Sequence, residues 1–591
     1  MFPVIKSRTF DPEALESLKK YNLSPIQSRI LAARIQDYSG PIASLLNPTL
    51  KILASPDLLK NCAFAAERMA RAIRDQKRIG LLFDYDVDGV TSGTLSSMIL
   101  TKNMGYPSSL LSIWIGHRLT EGYGLSDGLV ERILAHPEPP QWIITADCGS
   151  SDEPRIARLR QAGIQVIVTD HHAIPQQGVP QSAFATVNPQ QEDCLYPDKT
   201  IAGCMVMFLL FCQIRNELIT LGSLNADAPK LTGYLDFVSL GTMADAVSMC
   251  TPVNRSVVLA GLKQINQLQR PCWQSLKNRL KPEEPFMPED LGFLIGPRIN
   301  ARGRMADPFA AYRFLTAPDL NDANHFLDIL ENDNKDRRYT EKSMLSVAKK
   351  QAVAALEKHT HSLCVFHPGF HLGVQGIVAS RLLELYGRPT VVLSPMKDNL
   401  LSASVRSIPG VHVKNALQWI EEESPGFFYK FGGHRGAAGF SLESANLELF
   451  SEKFEMAVRR QMTQPPEPMI WTDGKLSHAQ INFATLNELQ QLQPFGREFE
   501  SPLFEGEFVV ESLYPVGNPK VHLSLLLSGS SFRFKAIWFN ALEHEHDPVH
   551  CQSGDAINCV FEMAKNVYLR KEHLQLRIKT LSSINNVSFT S

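Results

Sequence analysis

Residues 81–90 read LLFDYDVDGV, so Asp84, Asp86 and Asp88 follow an apolar run at alternate positions, with Gly89 directly after them. On an extended segment, positions i, i+2 and i+4 point to one side, so the three carboxylates can converge. Three like charges this close repel one another, and withdrawing them from water is costly. Either a cation sits among them or the stretch is a wet turn, and the pattern alone favours the turn. Three more segments change that balance. TADCGS presents Asp147, VTDHH presents Asp170, His171 and His172, and LGTMADAV presents Asp245, each read as the tip of a strand. Carboxylate oxygens together with imidazole suit Mn²⁺ or Mg²⁺ rather than a thiolate-seeking metal. Two such divalent ions about 3.5–4 Å apart activate water and stabilise in-line attack on phosphorus.

Those tips need a scaffold. RIGLLFDYD, QWIITADCG and IQVIVTDHH are near-continuous in Ile, Val and Leu, the pattern of strands buried on both faces of a parallel sheet. GVTSGTLSSMILTKNMG and EPRIARLRQAG supply crossover helices. The expected fold is a doubly wound α/β sheet, which binds ligands at the carboxyl ends of its strands. From about 320 to 358 there is no Gly or Pro and the periodicity is helical, which predicts one or two long linking helices. SLCVFHPG, VQGIVASRLLELYG and PTVVLS form a second, smaller α/β pattern. Beyond the proline-rich MTQPPEPMI, the segments FEGEFVVESLYPVG, VHLSLLLSG and FRFKAIWFN read as strands of a small β-barrel. The expected division is an N-terminal segment 1–45, a catalytic domain 46–315, a helical linker 316–358, a second α/β domain 359–462 and a barrel domain 463–591.

The chain has 591 residues, too many for one hydrophobic core, and its 44% hydrophobic and 20% charged residues are those of a soluble globular protein. A formal net charge of -2 leaves no global basic field, so a nucleic-acid substrate would need a local groove. The 10 cysteines form no CxxC pair, which predicts reduced thiols and no structural zinc. MFPVIKSRTF lacks the apolar core of a signal peptide, and no apolar stretch is read as long enough to span a membrane. A cytoplasmic protein is expected.

DYDVDG, ADCG, TDHH and GTMAD, in that order, resemble the four motifs of the DHH phosphoesterase family. EGYGL (121–125), IGPRINARGRM (295–305), GVQGIVASRL (373–382), SASVRS (402–407), GGHRGAAGF (432–440) and PFGREFESPLFEG (494–506) are similar to its single-strand-specific exonuclease branch. The resemblance implies a DHH domain, a DHH-associated domain and an OB-like barrel that widens the grip on the strand. It implies that Asp86, Asp88, Asp147, His171 and Asp245 ligate two ions, with Asp147 bridging and Asp84 completing the set. His172 would face the scissile phosphate, and Asp170 would orient the histidines. Arg118, Arg304, Ser404 and Arg406 would gather a 5′-terminal phosphate, as planar guanidinium forks suit that task. Gly433 and His434 would belong to a backbone-binding loop, and Asn300 would order the arginine loop. Two positions depart from the family pattern: Phe83 replaces a common glycine, and Gln375 a usual aliphatic residue.

The implied activity is metal-dependent degradation of single-stranded DNA, 5′→3′ to mononucleotides, in repair and recombination. The implied partners are a single-strand-binding protein and an unwinding helicase, around a monomer. One alternative is a DHH phosphodiesterase of short oligonucleotides or cyclic dinucleotides; another is a non-catalytic single-strand-binding scaffold. Asp236 reads as a helix or turn residue rather than a ligand. His367 and His371 read equally as substrate contacts or as loop residues bonded to backbone. Phe504, Phe508, Trp538 and Phe539 read either as stacking platforms or as barrel core.

Overall fold

The computed structural model describes residues 3–118, 120–305, 308–542, 549, 551–568 and 571–584. The chain forms two units, one of residues 41–383 and 389–464, the other of residues 1–40, 384–388 and 465–591.

In the larger unit a five-stranded sheet runs in the order Leu111–Ile115, Ile79–Phe83, Trp142–Ala146, Gln165–Thr169, Ala185–Val187. All four pairings are parallel. Ile79–Phe83 is buried throughout, as strands covered by helices on both faces must be. The helices Val87–Met98 and Glu153–Gln161 form where the crossover pattern predicts them.

The run LDFVSLGTMA, read from sequence as leading to a strand tip, is instead the helix Leu235–Ala244. Ten residues exceed a typical core strand, and its Leu and Met content suits a buried helix; an apolar run without polar spacing does not reveal its own period. Among the described residues one helix, Gly203–Thr220, is long and apolar enough to cross a membrane, contrary to the expectation from sequence. It is largely buried inside the unit, with Cys204, Val206, Leu210 and Phe211 at 0% exposure, and serves as core.

A single 39-residue helix, Leu320–Lys358, opens on Asp319, whose side chain accepts from the amides of Asn321 and Asp322. Arg298–Glu331 (2.6 Å) and Arg302–Asp333 (3.0 Å) tie it to the helix Gly296–Met305. A second five-stranded sheet follows, in the order Lys430–Gly433, Ala437–Glu443, Leu400–Arg406, Thr390–Pro395, Leu363–Phe366. Only its last pair is parallel.

In the smaller unit the three predicted strands are Phe504–Val516, His522–Gly529 and Phe532–Trp538. Ala556–Tyr568 and Lys571–Ser583 complete a closed barrel that three strands could not close. Phe504 and Phe508 are 0% and 2% exposed, so they are barrel core rather than platforms, while Phe539 is 53% exposed. The first forty residues fold with this barrel. Val4–Ser7 pairs in parallel with Met469–Thr472, and Arg34 forms a buried two-pronged bond to Asp473 (2.6 and 3.0 Å). Among the described residues no disulfide forms.

Removing one member of a buried ion pair strands the other, at a cost of about 3–5 kcal/mol. Asp473→Ala should therefore lower the unfolding free energy of the smaller unit by about that amount, read by denaturant titration. A loss under about 1 kcal/mol, the ceiling for an exposed pair, would show that the Arg34 contact is not what fastens the N-terminal helices to the barrel.

Candidate metal centre and phosphate pocket

Parallel register sets the tips of the first sheet level. Phe83 lies opposite both Ile115 and Ala146, Ala146 opposite Thr169, and Thr169 opposite Val187. The ladder extends one residue further: the amides of Asp84, Asp147 and Asp170 donate to Ala146, Thr169 and Val187 (3.3, 3.1 and 3.2 Å). Three carboxylates thus leave the same sheet edge. Asp147 does so in a left-handed backbone conformation (φ 60°), and its carbonyl accepts a bond from the Tyr123 hydroxyl (2.9 Å).

The other ligand candidates arrive differently from the strand geometry expected. Asp86 caps the helix Val87–Met98, accepting from the Gly89 amide (3.0 Å), and Asp88 lies in that helix's first turn. A strand-to-helix turn, not side-chain alternation, brings Asp84, Asp86 and Asp88 together. Asp88 accepts from the amides of Gly203 and Cys204 (2.6 and 2.9 Å) at the start of the core helix Gly203–Thr220, where amides are free to bind an anion. Asp245 stands at the C-terminal cap of the helix Leu235–Ala244.

His171 Nε2 lies 3.2 Å from Asp147, 3.5 Å from Asp245 and 3.7 Å from Asp88. Three donor groups have ligand atoms within 4.8 Å of one another: Asp84, Asp86 and Asp147; Asp88, His171 and Asp245; Asp147, His171 and His172. Asp147 belongs to two of them. Burial, reinforced by neighbouring carboxylates, pushes the Asp84 and Asp147 carboxyls far above their ordinary range and raises Asp88 as well. Burial lowers His171. Asp147 Oδ1 and His171 Nε2 are buried and accept or donate no hydrogen bond. Unpartnered donor atoms facing one another in a crowded acidic cup are what a pair of hard divalent cations satisfies, so the residues fit Mn²⁺ or Mg²⁺.

Asp170 is not among those donor groups. One oxygen takes the amides of His171 and His172 (2.7 and 3.1 Å) and His172 Nδ1 (2.8 Å); the other takes the Ser150 amide (3.0 Å). Burial opposes its charge, yet the His172 bond and charge, with His171, hold its carboxyl well below the usual range. The same bond, against burial, lifts His172 to about 9. With Nδ1 bonded to Asp170, Nε2 is the nitrogen left to face a substrate.

The predicted phosphate residues assemble within the same unit. Arg118 lies over the Tyr85 ring (5.3 Å), and Arg304 donates to the Gly373 carbonyl (3.0 Å). Arg406 donates to Ser404 Oγ (3.0 Å) and to its neighbour's carbonyl (2.9 Å). Burial, then the charges of Arg118 and Arg337, lower Arg304 to about 9, and burial with Arg118 lowers Arg406. Burial and the neighbouring Arg118 charge thus both disfavour the charged forms of Arg304 and Arg406, a cost that an anion held among these guanidiniums would relieve. Arg337, on the linker helix, carries no sequence signal of its own.

Asn300 accepts from the Val87 amide (3.0 Å), fastening the arginine helix to the start of the Asp88 helix. Gly433 (φ 146°) and His434 lie in an exposed hairpin, where the His434 amide donates to Ala437 (2.8 Å); they are not part of the metal cluster. Asp236 is buried and bonded to Arg270 (2.6 Å) and Trp273 (2.7 Å), a structural role. His367 and His371 accept from the amides of Gly369 and Gly373 (3.0 and 3.1 Å). Phe83, the departure beside the cup, is housed by Gly93, where a Cβ would meet its ring at 2.1 Å.

Sequence reasoning missed two glycines. A Cβ on Gly203 would sit 2.9 Å from Asp147 Cβ and 3.0 Å from Asp88 Oδ2, and one on Gly241 would sit 2.8 Å from Asp88 Oδ1. Only glycine lets these helices close against the carboxylates. Gly241 was visible inside the GTMAD motif; Gly203 had no motif to announce it.

Family models described as "DHH family, N-terminal domain", "DHHA1 domain" and "RecJ OB domain" match residues 78–242, 352–460 and 472–580. The single-stranded-DNA-specific exonuclease RecJ of Haemophilus influenzae is 34% identical over 491 residues, covering 82% of this chain and 84% of that protein. The RecJ of Escherichia coli is 33% identical over 501 residues, covering 82% and 84%. A crystal structure of RecJ from Thermus thermophilus in complex with Mn²⁺ shares the fold (TM-score 0.75, 23% identity, 98% of this chain and 79% of that one). A crystal structure of exonuclease RecJ bound to manganese aligns with TM-score 0.55 and 29% identity, over 69% of this chain and 96% of that one.

A methyl group on Gly203 would push apart the two carboxylates it touches. Gly203→Ala should weaken Mn²⁺ binding about 10- to 100-fold, the range seen when a ligand's supporting partner is lost. Calorimetric titration with Mn²⁺ measures this, and an unaltered affinity would show that the glycine contact does not shape the cup.

Proposed function

The chain belongs to the RecJ family of single-stranded-DNA-specific exonucleases, and on that premise we propose that it hydrolyses single-stranded DNA from the 5′ end to mononucleotides, with Mn²⁺ or Mg²⁺. The observation that carries this reading is the pairing, inside one unit, of an acidic cup whose buried carboxyls are raised with a cluster of arginines in which burial and Arg118 lower Arg304 and Arg406. Asp84, Asp86, Asp88, Asp147, His171 and Asp245 would hold the ions. Once bound, two divalent ions supply charge neutralisation and an activated water for attack on phosphorus.

The remaining steps fall to the protein. His172, its Nδ1 held by Asp170, turns Nε2 toward a non-bridging oxygen of the scissile phosphate and donates to it as charge develops. Asp170 does not reach the substrate; it fixes the ring and stabilises its positive charge. Arg118, Arg304, Ser404 and Arg406 take the 5′-terminal phosphate, which sets the direction of attack by fixing one end of the strand. The 3′-oxygen of the terminal nucleotide then leaves. His434 and Gly433 contact the backbone beyond the site, and the OB barrel adds single-strand affinity through base stacking and charge. Such an enzyme works in the cytoplasm on strands that a helicase exposes and a single-strand-binding protein coats. The full set of ligand candidates distinguishes it from a non-catalytic scaffold, and the barrel from a hydrolase of dinucleotides.

Time courses on single- and double-stranded DNA labelled at either end test the reading directly: mononucleotides should appear from the 5′ end of single strands alone. Asp147→Ala should reduce turnover more than about 100-fold, beyond the loss of a mere supporting partner, while single-strand affinity holds. Residual turnover near wild type would show that Asp147 does not help hold the ions. Arg304→Ala should lower the preference for 5′-phosphorylated over 5′-hydroxyl ends by about 10- to 100-fold, the worth of a charged hydrogen bond. Equal losses on both ends would remove Arg304 from the pocket.

A further inference from the structure

Tyr123 stands apart from the other groups around the cup. It ligates nothing and carries no charge, yet it touches two of the groups the reaction needs. Its hydroxyl donates to the Asp147 carbonyl (2.9 Å) and lies 3.3 Å from His172 Nδ1. Its ring meets the His172 ring edge-on, centroids 5.8 Å apart and planes at 74°. A tyrosine held at its polar end is ordinarily covered over its apolar body, because that body gains most by leaving water. Here the residue is 50% exposed. The His172 side chain beside it is 47% exposed, so neither ring of the pair is closed off from solvent.

That exposure is not slack. Gly122 (φ 87°) and Gly124 (φ 72°) bracket Tyr123 in left-handed conformations. On one side Glu121 accepts from the His117 amide (2.7 Å) and pairs with Arg132 (2.9 Å); on the other Asp152 accepts from the Leu125 amide (3.2 Å). The loop is fastened at both ends and the ring by its hydroxyl. A rigid aromatic presented to solvent beside a phosphate-facing histidine has low ordering cost on binding, and every nucleobase offers it a π-face.

From these contacts we infer that Tyr123 is a substrate-contacting residue. Its ring stacks on a nucleobase adjoining the scissile phosphate, while its hydroxyl holds the strained Asp147 backbone and the edge of His172 in place. Stacking of this kind is indifferent to base identity but requires a base. It therefore aligns an unpaired strand along the cup without reading sequence, and a base still engaged in a duplex is not free to take the position. The inference rests on the reading of the chain as a single-strand nuclease and adds a second requirement to it.

The test uses the full-length protein with Mn²⁺ and 5′-phosphorylated single strands. One strand is normal; two others carry a single abasic residue, at the first or at the second nucleotide. Wild type should cleave the first phosphodiester roughly five- to a hundredfold more slowly when the base is missing at one of these positions, the span expected of one base–aromatic stack. Tyr123→Phe keeps the ring, so it should keep that ratio while lowering the rate on all three strands alike. Tyr123→Leu should bring the ratio close to one, a change that a purely structural defect would not produce. Equal wild-type rates on normal and abasic strands would overturn the inference without recourse to any variant, as would a ratio surviving in Tyr123→Leu. Absence of cleavage of the normal strand by wild type would instead overturn the nuclease reading on which it rests.

Discussion

Mutual repulsion among buried carboxylates is the constraint around which the larger unit is organised. Asp84, Asp88 and Asp147 are 4%, 1% and 1% exposed and crowd one end of a single sheet. No salt bridge from a lysine or arginine reaches them among the described contacts; His171 lies 3.2 Å from Asp147 and 3.7 Å from Asp88, and burial lowers its pKa. The protein meets part of the cost with backbone amides, as where Gly203 and Cys204 bind Asp88. The rest of the charge is left for divalent ions. A site that stays unfavourable until ions arrive is one whose metal affinity comes from the fold rather than from any single ligand.

The opposite imbalance stands nearby. Arg304 and Arg406 are lowered by burial and by Arg118, so negative charge would relieve this cluster as positive charge would relieve the cup. Both belong to one unit, and the helix Gly296–Met305 joins them: it carries Arg304, and Asn300 from the same helix caps the amide of Val87. The spacing between pocket and cup is therefore set by secondary structure rather than by a loop, as precise positioning of a reacting phosphate requires.

Close packing explains the departures from the family pattern. Phe83 is 1% exposed beside Asp84, yet no carboxylate is displaced, because Gly93 leaves room for its ring and Tyr312 packs against it (centroids 5.8 Å apart). The bulk of one residue is absorbed by the absence of another on the facing helix. Gln375, the second departure, lies at the start of the helix Gln375–Tyr386 and donates to Ser402 (3.3 Å).

The strands ending at Asp84, Asp147 and Asp170 were legible in the sequence because an apolar run closing on a charged residue is a local pattern, and a parallel sheet converts that pattern into a shared edge. Which acidic and histidine residues gather at the cup was legible through short motifs that keep their order along the chain. How those groups meet was not legible. Asp86 and Asp88 reach the cup through a helix cap, Asp245 through the end of a helix taken for a strand, and Gly203 and Gly241 by what they lack. The first forty residues join a barrel more than four hundred residues away through Arg34 and Asp473, which no local signal pairs. Residue type and spacing along the chain determine which chemistry is available. Tertiary structure alone decides distance, burial and close contact, because these depend on residues that are remote in sequence and neighbours only once the chain has folded.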